Sequence, residues 1–208
     1  MNKSFKRKAF SKGIFLKEKI ASALDWVAEL DGLSQSWQLS EPLVIPSNGN
    51  YKMVVKFKIL PNGNNWASIM AGEESSLVGS KSGVLAGKIR LVINGTTNWT
   101  NQDWVYSEHD TVEITRSPSG NKINFRGVES NISGSSDLIF TVLGVRASLH
   151  DFMPGYIEFV KLYKDDELKN HISLTNKDQG ATQKPLVGNI SAFMSNYTPA
   201  VWKKKAER

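Results

Sequence analysis

From Asp31 onward the chain alternates apolar and polar residues, and a period of two fits a half-buried β-strand and not an amphipathic helix. Segment 51–60 is the clearest case: Met53, Val55, Phe57 and Ile59 fall on one face and Lys52, Lys56 and Lys58 on the other, with Val54 the exception. Such a strand has one wet face. "LPNGNNW" then turns the chain, because Pro61 fixes φ and the Asn62-Gly63 pair supplies positive φ. Further strand-like runs occupy 66–70, 88–94, 111–116, 123–128, 138–143 and 156–163, punctuated by Gly72, Gly87, Gly95, Gly120 and Gly134. Many short strands at hairpin spacing, with no helical pattern between them, predict an antiparallel sandwich or barrel. Its core is expected to contain Phe57, Ile59, Leu91, Ile114, Phe125, Phe140, Ile157 and Phe159.

Before this pattern the sequence is of another kind. "MNKSFKRKAFSKGIF" spaces Phe5, Phe10 and Phe15 at five-residue intervals among Lys6, Arg7, Lys8 and other cations, as an arm that fills pockets on an acidic surface would. Between residues 14 and 30, Ile20, Ala23, Leu24, Val27 and Leu30 recur at spacings of three and four, the periodicity of an amphipathic helix. The expected division is an attachment segment at 1–30, the sandwich at 31–202 and a basic tail at 203–208. The formal net charge of +6 belongs largely to the two ends, so the chain is not read as a nucleic-acid binder.

A chain of 208 residues suits one main core. Without cysteine it has neither a disulfide framework nor a thiolate metal site. The apolar stretch at 13–16 is too short for a signal peptide, and no run approaches the ~20 residues of a membrane helix. No export and no membrane partner are therefore expected.

"GYIEFVKLYKDDELKNHISLTN", residues 155–176, is more specific. One strand runs into a turn at Asp165-Asp166, and a second returns through Leu168, Ile172 and Leu174. The stretch resembles the penultimate hairpin of concanavalin A-like, laminin-G-like jelly rolls. "LDGLSQSWQLSEPLVIP" at 30–46 resembles the first strand of that group and "GNISAFMSNYTPAVW" at 188–202 its closing strand, so the resemblance spans 30–202. The wording is similar to accessory domains of bacteriophage virions, in fibres, tails and head decoration. The resemblance implies a mainly β, antiparallel two-sheet jelly roll in a non-enzymatic virion structural protein. Its partners would be capsid or tail subunits, its state multi-copy or homo-oligomeric, and its place the virion, assembled in the host cytoplasm. The alternative is a glycan-binding host-attachment module, with a glycan-cleaving enzyme of the same fold behind it.

Sugar binding needs an aromatic face for the apolar side of a pyranose and amides or carboxylates for its hydroxyls. Trp99, Trp104, Tyr106, Asn98 and Asp103 offer that mixture, and Trp66 beside Asn64 and Asn65 offers it in an earlier loop. His109, His150 and His171 each have an acidic neighbour but no zinc spacing, so no metal site is assigned; Asp103, Asp110, Asp137 and Asp151 leave calcium open. No other cofactor is expected. Glu113 and Glu158 stand singly on their strands, where glycosidases need two carboxyl groups, and no nucleophile elbow or phosphate loop is written.

Overall fold

The computed structural model describes residues 26–205, which form antiparallel sheets joined by turns and three short 3-10 segments. The strands in chain order begin with β1 (Trp26–Ala28), β2 (Leu30–Asp31), β3 (Ser36–Ile45), β4 (Tyr51–Ile59), β5 (Trp66–Ala71) and β6 (Ser75–Ser80). They continue with β7 (Lys88–Ile93), β8 (Thr96–Asp103), β9 (Asp110–Ser117), β10 (Gly120–Phe125), β11 (Val128–Asn131) and β12 (Leu138–Leu143). The last are β13 (Pro154–Lys164), β14 (Glu167–Ser173), β15 (Thr182–Gln183), β16 (Ala192–Ser195) and β17 (Trp202–Lys204).

One sheet has the order β11-β10-β9-β4-β13-β14, with β2 added beside β13. The other runs β15-β16-β3-β12-β5-β6-β7-β8, and β1 pairs with β17 in a small separate ribbon. The two large sheets share one apolar core. Met53, Val55, Phe57 and Ile59 of β4 enter it as the alternation predicts, and Ile89, Leu91 and Ile93 of β7 meet them from the opposite sheet. This is the expected two-sheet sandwich.

Strand β13 departs from the expected parity. Its register with β4 passes from Ile157 opposite Phe57 to Phe159 opposite Lys56, which leaves Glu158 as an inserted residue. A one-residue bulge moves every later side chain to the other face. Val160 and Leu162 therefore enter the core, whereas Phe159 stays half-buried outside it. There it meets the edge of the His171 ring, with the centroids 5.9 Å apart, and Lys161 Nζ lies 4.6 Å from its centroid. The other seven expected core residues are buried.

The helix expected over 14–30 is not what its described end forms. Trp26, Val27 and Ala28 pair with Lys204, Lys203 and Trp202, and Leu30 pairs with Gly155. Val27 is fully buried in this chain and is not held out for a partner. Val27 and Leu30, three residues apart, fit a helix stripe equally well, and tertiary pairing decides against it. Gly155 also lets β13 approach β4 closely: a Cβ there would collide with the Lys58 carbonyl oxygen. Phe5, Lys6, Arg7, Lys8, Phe10, Phe15, Ile20 and Leu24 lie outside the described residues. Among the described residues no helix is long and apolar enough to cross a membrane.

Candidate functional site

Because Ile89, Leu91 and Ile93 face the core, Arg90 is turned to the outer face of its sheet. Trp99, its register partner on β8, takes the same face. From β5, Trp66 pairs with Ser80 of β6, whose small side chain leaves room for the indole to lean towards β7. The Arg90 guanidinium carbon lies 4.5 Å from the Trp66 ring centroid and 5.9 Å from that of Trp99. The two indoles are 6.4 Å apart and tilted by 36°. Three strands thus build one aromatic and cationic surface.

Beside Arg90 the same face is hollowed into a groove of about 640 Å³. One wall is the loop from β12 to β13, where Arg146, Ala147 and Ser148 line the cavity. Val145 anchors this loop by packing with Ala71, Val142 and Phe152 in a second small apolar cluster. Its path is constrained, since Leu149 and Asp151 take positive φ of 55° and 56°, values uncommon for residues with side chains. At the far end the turn from β5 to β6 contributes Glu73 and Glu74.

The charges are unevenly paired. Arg146 Nη1 is 3.5 Å from Asp151 Oδ2 and 3.4 Å from His150 Nε2. The Arg90 side chain makes no hydrogen bond or ion pair among the described residues, and its Nε is buried without a partner. Burial pushes the Arg90 guanidinium below its usual range, Arg146 adds to that and Asp151 opposes it. Arginine remains charged at neutral pH all the same.

Of the five residues expected from the sequence to hold a glycan, Trp99 is the one on this surface beside Arg90. Trp104 is 5% exposed and belongs to the core, packed over Gly79, with Tyr106 meeting it edge-on at 4.7 Å. It cannot present a face to a sugar. Asn98 is 8% exposed and fully engaged: its Oδ1 accepts from Ser133 N at 2.7 Å and its Nδ2 donates to Ser133 O at 3.0 Å. It ties β8 to the segment after β11. Tyr106 is exposed but supports Trp104, and Asp103 is ion-paired with Lys88 at 2.7 Å. The alternation in "KIRLVI" already put Arg90 on a wet face, but nothing local told that Trp66 would reach it from two strands away.

The acids considered for chemistry are occupied or scattered. Glu158, whose side chain is 6% exposed, binds Lys56 Nζ at 3.2 Å, His109 Nδ1 at 2.9 Å and Lys205 Nζ at 2.8 Å. Burial alone would raise its pKa, but Lys205 and Lys56 hold it below the ordinary carboxylate range. With its proton on Nδ1, His109 donates to Glu158 and accepts at Nε2 from the Tyr156 hydroxyl, 3.1 Å away. Burial, with Glu158 behind it, raises the Tyr156 phenol. Asp110 pairs with Arg126 at 2.6 Å, and Asp137 accepts from Ser47 N at 2.6 Å. Among the described residues no group of three or more His, Asp or Glu side chains is placed to hold a metal ion.

No protein-family model and no curated protein matches the chain. Solved structures do. A candidate carbohydrate-binding protein from Bacteroides ovatus superposes with a TM-score of 0.57 at 13% identity, over 83% of this chain and 60% of that one. This chain thus spans 60% of that protein's length. A heptameric SAP-like pentraxin from Limulus polyphemus follows with a TM-score of 0.48 at 10% identity, over 70% of this chain and 78% of that one. A homodimeric agglutinin from chicken liver gives 0.40 at 10% identity, over 59% of this chain and 100% of that one. At such identities the first of these likenesses speaks for the jelly-roll sandwich fold alone.

Proposed function

We propose that this protein is a carbohydrate-binding module that works without catalysis, through the outer face of β5 to β8. One observation carries the reading: Trp66 and Trp99 flank Arg90, and Arg90 lines a groove of about 640 Å³. An indole covers the apolar face of a pyranose, and a guanidinium donates in a fixed plane to ring and hydroxyl oxygens. The groove has room for a ligand of two or three sugar rings, within the ordinary range of binding-site volumes. The carbohydrate-binding description of the Bacteroides ovatus protein agrees with this reading. Binding is favoured over cleavage because Glu158, an acid singled out in the sequence, is held by Lys56, Lys205 and His109 away from the groove. The virion role implied by the sequence draws no support from the described residues, and its attachment segment lies mostly outside them.

A glycan array of the purified chain, followed by titration of the best ligand into Trp99→Ala and Trp66→Ala, tests the proposal. Loss of a stacking face is expected to weaken binding by about tenfold, equivalent to ~1.4 kcal/mol. A blank array, or Trp variants that bind like the parent, would overturn it. A reducing-end assay on the same ligand is expected to detect no cleavage.

A further inference from the structure

We infer that the groove selects an acidic sugar, with Arg90 and Arg146 receiving a carboxylate carried by the saccharide. The inference rests on the carbohydrate-binding reading and narrows its ligand class. Arg90 is the reason. A guanidinium stripped of part of its water ordinarily meets a carboxylate or a carbonyl, and this one meets two aromatic faces. The two rings lie against the group and its Nε is buried, which leaves the two Nη atoms as the side that binds a carboxylate through two parallel N–H···O bonds. Arg116 shows what a structural arginine does in this fold: its Nη1 donates to Ser136 O at 2.6 Å and its Nη2 to Gly134 O at 3.2 Å. Arg90 has no such partners among the described residues.

Arg146 strengthens the case from the facing loop. Its contact with Asp151 is long, at 3.5 Å, so a second cation reaches the groove only partly neutralised. Two guanidiniums on one cavity repel each other unless an anion lies between them. The opposite sign sits elsewhere: Glu74 O accepts from Asn94 N, in the turn just past β7 and four residues from Arg90, which at strand rise is about 13 Å away. The groove is therefore cationic at the indole end and acidic at the turn from β5 to β6. A saccharide with one charged ring would lie in one direction, its carboxylate at Arg90 and its neutral hydroxyls towards Glu73 and Glu74.

The test titrates the full chain by calorimetry with a galacturonate oligosaccharide, its methyl ester, a neutral galactose oligosaccharide and a sulfated one. The acid is expected to bind at least about tenfold more tightly than the ester, because only the acid keeps the bidentate anion. Arg146→Gln is expected to reduce that preference to about twofold or less with little change in ester binding, whereas Arg90→Gln is expected to weaken both ligands and the acid by the larger factor, so that the preference falls in both variants. Raising the salt concentration should weaken the acid selectively. Equal binding of acid and ester, or Arg variants that keep the preference, overturns the inference. So does a sulfated ligand that equals the acid, since it would reduce the site to a general anion trap. If neutral and ester ligands bind and depend on Trp99, the carbohydrate reading stands while this one falls. If none of the four binds and a full array is blank, both fall.

Discussion

Lys205 Nζ lies 2.8 Å from Glu158 Oε2, so the residue that follows β17 is tied to the bulge of β13. The bulge is what places a carboxylate on the outer side of a strand whose neighbours are apolar. Glu158→Gln removes the ion pairs with Lys56 and Lys205 and the charged acceptor of the His109 hydrogen bond, and with the lysines free to turn to water the expected loss is about 1–3 kcal/mol. The pH dependence follows from the depressed pKa. A carboxylate whose folded pKa is below its unfolded one contributes stability that is present above the ordinary value of 4.5 and is lost as pH falls through the folded value. Thermal melts between neutral pH and acid should converge for parent and variant as the pH drops below 4.5. A constant gap would place Glu158 outside the titrating network.

Deleting residues 1–29 is expected to destabilise the sandwich. The cut removes β1, and with it the buried Val27 and the partner of β17. Val27→Ala alone should cost about 2 kcal/mol through the cavity it leaves. Calorimetric unfolding checks both, and a truncated chain with the parent melting temperature would mean that β1 contributes nothing to the fold.

The bulge makes a second, local prediction. Ile157→Ala empties a fully buried site and should cost about 2–5 kcal/mol, whereas Phe159→Ala, on the outer face, should cost about 1 kcal/mol or less. Urea titration of both variants separates them. If Phe159→Ala proves the costlier, the parity of β13 after Glu158 is not the one described.

The strands were legible wherever alternation ran unbroken. In β4 the four inward residues and the lysines opposite them can be named from spacing alone, and "KIRLVI" of β7 reads as cleanly. Phe159 was misplaced because a bulge adds one residue without changing composition: "YIEFVKL" alternates plausibly in either parity, and only the register against β4 selects one. Val27 and Leu30 were misassigned for a related reason, since two apolar residues three apart satisfy a helix as well as a paired edge. Half of the site was visible. Trp99 could be nominated from its polar neighbours, but Trp104, just past the end of β8 in a stretch of similar composition, turns into the core. Trp66 and Arg90 meet across β6, and such a contact is a property of sheet order, which local sequence does not carry.

The most direct test of the account is a heteronuclear NMR titration that follows the six indole N–H groups while the best ligand from a glycan array is added. Trp66 and Trp99 flank Arg90 on the outer face, whereas Trp37 and Trp104 are buried in the core. The account predicts that the Trp66 and Trp99 indole signals and the Arg90 Nε–H signal shift together along one binding isotherm, with Trp37 and Trp104 unmoved. Shifts confined to Trp26 or Trp202, or a glycan that binds without perturbing Trp66, Trp99 and Arg90, would contradict it.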